Sequence, residues 1–299
     1  MPAAAAPPRF GRIALIGKLR SAEIATSLRE LSEFLHKRGC EVFIEQETAA
    51  DIGAQGFDYE ALGKRADLAI VIGGDGTMLA AARNLVRHHV PVVGVNQGLV
   101  GFMTDIGYRD MKNGIGAILD GKYSLEERAL LDAEIIRDDK SILRTLALNE
   151  AVLGKGAEAR LIEFRLSLSG EYVYTLRADG VIVATPTGST AYAMSAQGPI
   201  LHPAVPALAL VPLNPHTLSA RPVSVSDKSI IEIVLTRAID ARAHFDGFAL
   251  TDLAEGDRMV LKRSADMVRF VHPPGYSYFA TLREKLRWSE TLQKPGEPE

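Results

Sequence analysis

Five apolar residues, Leu68 to Ile72, run straight into Gly73-Gly74-Asp75-Gly76-Thr77 and then into Met78-Leu79-Ala80-Ala81-Ala82, which reads as the first turns of a helix. A strand, a glycine turn and a helix start together build a phosphate site. Glycines let the backbone approach an anion and reach positive φ at no steric cost. The helix start adds unpaired N–H groups and a partial positive charge. The unusual member is the acid. A carboxylate repels phosphate, so Asp75 serves something else: a hydroxyl to be deprotonated, or a magnesium ion. Glycines plus one acid point to phosphoryl transfer rather than mere phosphate binding. The same residues also suit a tight turn with a capping aspartate.

The surrounding chain alternates. Ile13 to Ile16 reads as a short buried strand, and Ser21 is placed to cap a helix with Ile24, Leu28, Leu31 and Leu35 on one face. Gly39 stands in the expected stop position. Val42 to Ile44, Leu68 to Ile72 and Pro91 to Val95 supply further strands. Strands alternating with helices predict a Rossmann-like α/β domain with a parallel sheet covered on both faces, over residues 11–124. Ligands of such sheets bind at the carboxyl ends of the strands, where the glycine motif lies.

After about residue 125 the texture changes. Leu131 to Ile136 and Ile142 to Leu148 flank a polar turn, and Leu161 to Leu168 and Tyr172 to Leu176 flank Ser169-Gly170. Ile230 to Leu235, Ala241 to Phe245, Met259 to Lys262 and Met267 to Val271 are later strand candidates. Many short strands with turn punctuation predict an antiparallel β-sandwich-like domain over 125–275. Tyr278, Leu282, Lys285, Leu286 and Trp288 predict a short C-terminal helix, within 276–299, that packs back on the first domain. Residues 1–10, rich in alanine and proline, read as a frayed tail without the pattern of a signal peptide.

Composition narrows the function classes. A net charge of −3, with Lys and Arg scattered, gives no reason to expect nucleic acid. The single cysteine, Cys40, excludes an internal disulfide and a multi-cysteine zinc site. No apolar run approaches the roughly 18 residues that span a bilayer, and the cytoplasm is the default location. His88 and His89 fall near a helix C-terminus; His202, His216, His244 and His272 are spread out, mostly near prolines, and read as turn or surface residues. No side chain is assigned to a metal.

A second constellation runs from Arg177 to Ser195. It starts with Asp179-Gly180, passes through an apolar strand and opens into Thr185-Pro186-Thr187-Gly188-Ser189-Thr190-Ala191-Tyr192. Thr187, Ser189 and Thr190 offer hydroxyls at a helix start, Gly188 permits close backbone approach, and Tyr192 has a flat face for a base. A capped helix packed with small residues accounts for the same pattern equally well. Asn149-Glu150, at a strand end, reads as a pair for ribose hydroxyls or a metal's water shell, or as a plain turn.

The glycine motif resembles the signature of the superfamily that holds NAD kinases, lipid kinases and 6-phosphofructokinases. Asn149-Glu150, Asp179-Gly180, Thr185 to Tyr192, Ser195 to Ile200, Pro215 to Pro222 and Asn96-Gln97-Gly98-Leu99-Val100-Gly101-Phe102 together resemble a bacterial NAD kinase over nearly the whole chain. The resemblance implies transfer of the ATP γ-phosphoryl group to the 2′-hydroxyl of the adenosine ribose of NAD, with a divalent metal, magnesium first among them. It implies Asp75 as the base; Gly73, Gly74, Gly76 and Thr77 around the phosphates; Asn149, Glu150 and Arg160 on NAD; and Asp179 near the nicotinamide. Thr190, Ala191, Tyr192, Ala193, Met194 and Ser195 would line the dinucleotide pocket. Arg177 resembles the residue of relatives that accept NAD but not NADH, acting by shape or by engaging Asp179. After Asp246-Gly247 the chain has Phe248 where many relatives carry a polar residue, which puts a cofactor contact there in doubt. The resemblance also implies a homodimer or homotetramer joined through the β domains. A lipid or sugar kinase of the superfamily, or a non-catalytic NAD-binding regulator, are the competing readings.

Overall fold

A computed structural model of the chain describes residues 10–17, 22–96, 101–157, 160–247 and 249–288. The Ser21 cap, the Ile24 side chain, Gln97 to Val100, Phe248 and all but the last residue of the N-terminal tail lie outside what is described. The chain forms two compact units. One comprises Met1–Ala81, Val90–Glu126 and Phe270–Glu299; the other comprises Ala82–His89 and Glu127–Arg269.

The first unit begins β1 (Arg12–Gly17), α1 (Ala22–Lys37), β2 (Glu41–Glu45), α2 (Gln46–Ile52), β3 (Gly56–Phe57), α3 (Tyr59–Arg65), β4 (Leu68–Ile72) and α4 (Asp75–Leu85). It continues with β5 (Val92–Asn96), β6 (Ile106–Gly107) and α5 (Met111–Leu119). The strands are parallel in the order β5-β4-β1-β2-β3, with β6 beside β5. Every residue of β4 and β5 is buried, which is why both read as unbroken apolar runs. Leu28, Leu31 and Leu35 of α1 are fully buried on the sheet, and Gly39 ends that helix region at φ +80°. Residues 46–65, which carry no clear periodicity, are ordered by caps. Glu45 accepts from the N–H groups of Glu47 and Thr48 at 2.9 Å, and Asp58 from that of Ala61 at 2.7 Å.

The second unit is built from β7 (Ser124–Arg137), β8 (Lys140–Ala147), β9 (Glu150–Lys155), β10 (Ile162–Leu168), β11 (Glu171–Ala178), β12 (Gly180–Ala184) and the single-turn α6 (Tyr192–Ser195). It adds β13 (Ala207–Leu213), β14 (Val223–Ser226), β15 (Ile231–Arg237), β16 (Ala241–Phe245), β17 (Ala249–Leu253) and most of β18 (Arg258–His272). The chain then returns to the first unit with α7 (Tyr278–Leu286), capped by Ser277. One antiparallel sheet runs β11-β10-β15-β18; the other runs β14-β13-β12-β9-β16-β17. Their facing sides share one core, in which Phe164, Leu166 and Ile233 meet Leu153, Val181 and Phe245. The unit is therefore a sandwich. The predicted hairpin turns are present, with Asp138 and Asp139 at φ 48° and 56° and Ser169 and Gly170 at φ 50° and 87°.

Two boundaries differ from the sequence pattern. Met259 to Lys262 and Met267 to Val271 belong to one strand, β18. The polar stretch between them stays in the ladder because its groups find partners: Arg263 Nη1 lies 2.5 Å from Asp227 Oδ2. Asn149-Glu150 does not close a strand; it is the step from β8 into β9, whose first residue is Glu150.

Candidate active site

In the first unit Asp75 opens α4 directly after β4. Its carboxylate accepts from the backbone N–H of Phe102 at 3.1 Å and of Met103 at 3.2 Å. Gly101 is required here, because a Cβ at that position would collide with the Asp75 carboxylate. Thr104 ties the same segment down: its Oγ1 accepts from Gly101 N–H and from Asn96 Nδ2, both at 3.0 Å. Asp75 is thus a half-buried carboxylate with a fixed orientation. The glycines do not use the positive-φ freedom that the motif offers. Gly73, Gly74 and Gly76 are absent from the positive-φ residues. Gly73 makes room for Thr77, whose Oγ1 would sit 2.7 Å from an added Cβ. Gly74 and Gly76 face open space, so the missing side chains leave the turn accessible to a ligand.

In the second unit the Asn149-Glu150 step is clamped from two sides. Asp246 accepts from the N–H groups of Leu148, Asn149 and Glu150 at 2.7, 2.8 and 3.0 Å. Opposite, Asn149 C=O accepts from Thr185 N–H at 2.9 Å, and the absence of a Cβ at Gly188 lets the Asn149 backbone pass. Held this way, Asn149 Oδ1 and Glu150 Oε2 are buried with no hydrogen-bond partner among the described residues. Burial, reinforced by the Asp246 charge, pushes the Glu150 carboxyl up to about 8. Asp246 is itself raised by burial, against the lowering effect of its three backbone donors and Arg83.

Period-two alternation then builds a cavity on the outer face of this sheet. Ala151 and Leu153 of β9 enter the sandwich core, so Glu150, Val152 and Gly154 face the other way. With His244, Leu213 and Tyr192 they line a space of about 420 Å³, within the range of small-molecule sites. Asp179 stands at its edge, 2.6 Å from Lys155 Nζ and 2.9 Å from Asn214 Nδ2. The hydrogen bonds from Lys155 and Asn214 hold its carboxyl below the usual range. His244 is shifted down by burial and by Arg242.

Among the remaining candidates, the expected Arg177–Asp179 contact and the surface reading of His244 and His272 are corrected. Arg177 does not engage Asp179, whose two oxygens are taken by Lys155 and Asn214; Arg177 is exposed on β11, in register with Glu163 of β10. Arg160 is exposed, with Glu158 and Ala159 beside it outside the described residues. The hydroxyls after β12 hold the turn together: Thr185 donates to Leu148 C=O at 2.5 Å, Ser189 to Pro186 C=O at 2.6 Å and Thr190 to Thr187 C=O at 3.1 Å. Ala193 is buried in the cluster beneath the cavity, with Ile182 and Val211. Ala191 and Met194 are half-buried and Ser195 is exposed. Tyr192 is 48% exposed and lines the cavity, so its ring is not a core residue. Neither His244 nor His272 is a surface residue: the first is half-buried at the cavity and the second is buried. Among the described residues, no group of three or more His, Cys, Asp or Glu side chains is placed to hold a metal ion.

The sequence reading passed over Lys155, Asn214 and His244 and left Asp246 in doubt. Alternation along β16, whose Ala241, Ala243 and Phe245 enter the core, is a usable signal for His244, whereas Lys155 shares the parity of the core-facing Ala151 and Leu153. Asp246-Gly247, at φ 51° and 72°, is a recognisable tight turn, but nothing local shows that its carboxylate caps a segment about a hundred residues away.

Two family models match this architecture: the ATP-NAD kinase N-terminal domain over residues 13–123 and the ATP-NAD kinase C-terminal domain over residues 148–273. The chain is 56% identical to an NAD kinase of Aromatoleum aromaticum, over 96% of this chain and 97% of that one. It is 54% identical to an NAD kinase of an Azoarcus species, over 94% and 97%. The chain belongs to the ATP-NAD kinase family. Two solved structures of such kinases superpose on it. Yeast NADH kinase complexed with NADH gives a TM-score of 0.88 at 25% identity, covering 96% of this chain and 91% of the other. An NAD kinase from Archaeoglobus fulgidus in complex with ATP gives 0.75 at 27% identity, covering 92% and 98%. Asp75 falls within the N-terminal domain of an ATP-NAD kinase, and the Asn149-Glu150 step and its cavity fall within the C-terminal domain.

Proposed function

We propose that this chain, an NAD kinase by family, transfers the γ-phosphoryl group of ATP to the 2′-hydroxyl of the adenosine ribose of NAD, with Asp75 as the base and the Asn149-Glu150 step as a hold on the dinucleotide. The observation that carries the second assignment is the buried, partnerless pair Asn149 Oδ1 and Glu150 Oε2. Buried polar atoms without partners cost about 1–3 kcal/mol each, and a ligand's hydroxyls and amine would repay that. A ribose hydroxyl is a poor nucleophile. Asp75, fixed by two backbone donors, is suited to orient it and to take its proton late in transfer. The magnesium belongs to the ATP substrate, where it offsets phosphate charge. Gly74 and Gly76 leave the turn open to the phosphates, and Tyr192 offers a face for stacking.

We further propose a homodimer or homotetramer working in the cytoplasm; light scattering on the purified protein and cell fractionation test these. The reaction itself is tested by NADP formation from ATP, magnesium and NAD, with NADH in parallel. Formation of NADP that requires ATP supports the reading. Binding of NAD with no turnover refutes it and favours a regulator; phosphorylation of a lipid in place of NAD favours the other branch of the superfamily.

A further inference from the structure

His272, next to Pro273 and Pro274, reads from sequence as a turn residue. It is instead 2% exposed, at the end of β18. Its Nδ1 lies 2.5 Å from Asp105 Oδ2, and its Nε2 3.2 Å from Glu126 Oε2, an ion-pair contact without hydrogen-bond geometry. The ring stacks on Tyr276 at 3.7 Å and 7°, with Phe270 behind it at 6.3 Å. Asp105 is two residues beyond Met103, whose N–H holds the Asp75 carboxylate. Between them Thr104 locks Gly101 and Asn96. All of these residues lie in the first unit.

We propose that His272 is a positioning residue for phosphoryl transfer: by gripping Asp105 it fixes the Gly101–Asp105 backbone, and that backbone sets the carboxylate of Asp75. The inference rests on Asp75 acting as the base. The far end of the loop is held by this contact and by β6, which begins at Ile106 and pairs with β5. Asp105 Oδ1 is buried without a partner among the described residues, so the carboxylate's hold on the fold passes through its other oxygen and the imidazole. The groups facing the ring are Asp105 from the loop before β6, Glu126 from β7 and Tyr276 after β18. Burial lowers the imidazole's pKa, but the bonds and charges of Asp105 and Glu126 outweigh it and raise the value above 6.5. The imidazolium that strengthens the grip is lost as pH rises through that raised value.

His272→Phe keeps a flat ring for Tyr276 and removes both ring nitrogens. A displacement of about 1 Å at a reacting group costs up to about a hundredfold in rate. We expect kcat to fall about ten- to a hundredfold with KM for NAD and ATP within about twofold of wild type. His272→Asn, which returns a donor near Nδ1, should recover most of that loss. Because His272 acts through Asp75, the double variant Asp75→Asn/His272→Phe should be no more than about twofold slower than Asp75→Asn. A folded His272→Phe with native kcat, or losses that multiply in the double variant, overturns the proposal. If His272→Phe does not fold, Asp105→Asn carries the same test: its kcat should drop with KM unchanged, and native kcat overturns the proposal. An Asp75→Asn enzyme with near-native turnover refutes the base assignment and the proposal with it. An inactive Asp75→Asn beside a native His272→Phe refutes the proposal alone.

Discussion

Glu150→Gln should make the protein more stable and a poorer enzyme. Glu150 is 8% exposed with one oxygen unpartnered, and its carboxyl is pushed up from 4.5 to about 8 by burial and by Asp246. In the unfolded chain it ionises near 4.5. Between those two values the folded protein holds a proton that the unfolded chain has released, so folding stability falls as pH rises through that window and levels off above about 8. The gap of about 3.5 pH units, at about 1.4 kcal/mol each, sets a ceiling of about 5 kcal/mol. Glutamine matches the neutral carboxyl in shape and does not ionise. The variant should therefore gain about 4 kcal/mol over wild type at pH 8 and about 1 kcal/mol or less at pH 5. Urea denaturation of both proteins at pH 5, 6.5 and 8 measures the difference. KM for NAD should rise in the same variant. A stability difference that does not change with pH, or a wild type that is equally stable at pH 5 and pH 8, refutes the argument that Glu150 is held at a cost in the ligand-free fold.

Three further outcomes are expected. Asp75→Asn should fold and bind NAD but lose about 10²- to 10⁴-fold in kcat; retention of more than half of native turnover would remove Asp75 from the chemistry. Tyr192→Ala should raise KM for NAD by the equivalent of about 1–3 kcal/mol of stacking, with stability little changed because the ring is exposed; an unchanged KM would leave the tyrosine without a ligand role. The wild type should phosphorylate NAD in preference to NADH, and Arg177→Gly should gain NADH activity. With Asp179 held by Lys155 and Asn214, that gain would come from loosening β11, whose Arg177 C=O accepts from His216 N–H beside Asn214. Equal wild-type rates on the two dinucleotides would show the arginine is no discriminator.

What was legible in the sequence was what depends on near neighbours. Runs such as Leu68 to Ile72 give buried strands because each residue meets apolar atoms on both faces of the sheet. Asp138-Asp139 and Ser169-Gly170 give hairpins because Asp tolerates the left-handed region and Gly170 enters it freely. What was not legible depends on residues far apart in the chain. Asp246 reaches Leu148, Asn149 and Glu150 across a separation of 96 to 98 residues, and His272 reaches Asp105 across 167. A carboxylate that caps a distant backbone and one that faces water look the same in a single chain. The hydroxyls after β12 were ambiguous for a related reason: a serine or threonine near a turn suits a ligand or its own backbone, and here Thr185, Ser189 and Thr190 donate to backbone carbonyls.

The same distinction separates scaffold from site. Asp246 has three N–H donors and Asp179 has two side-chain partners, so neither needs a ligand to be satisfied. Glu150 and Asn149 are as deeply buried as Asp246, yet each keeps an oxygen without a partner. Folding alone would favour apolar or paired groups at those two positions. Asp246 accepts two of its three backbone hydrogen bonds from the residues whose side chains remain unsatisfied. It supplies the rigidity, and they supply the unmet hydrogen-bonding capacity that a dinucleotide would complete. Removing the clamp should therefore damage binding even where the binding side chains themselves are intact.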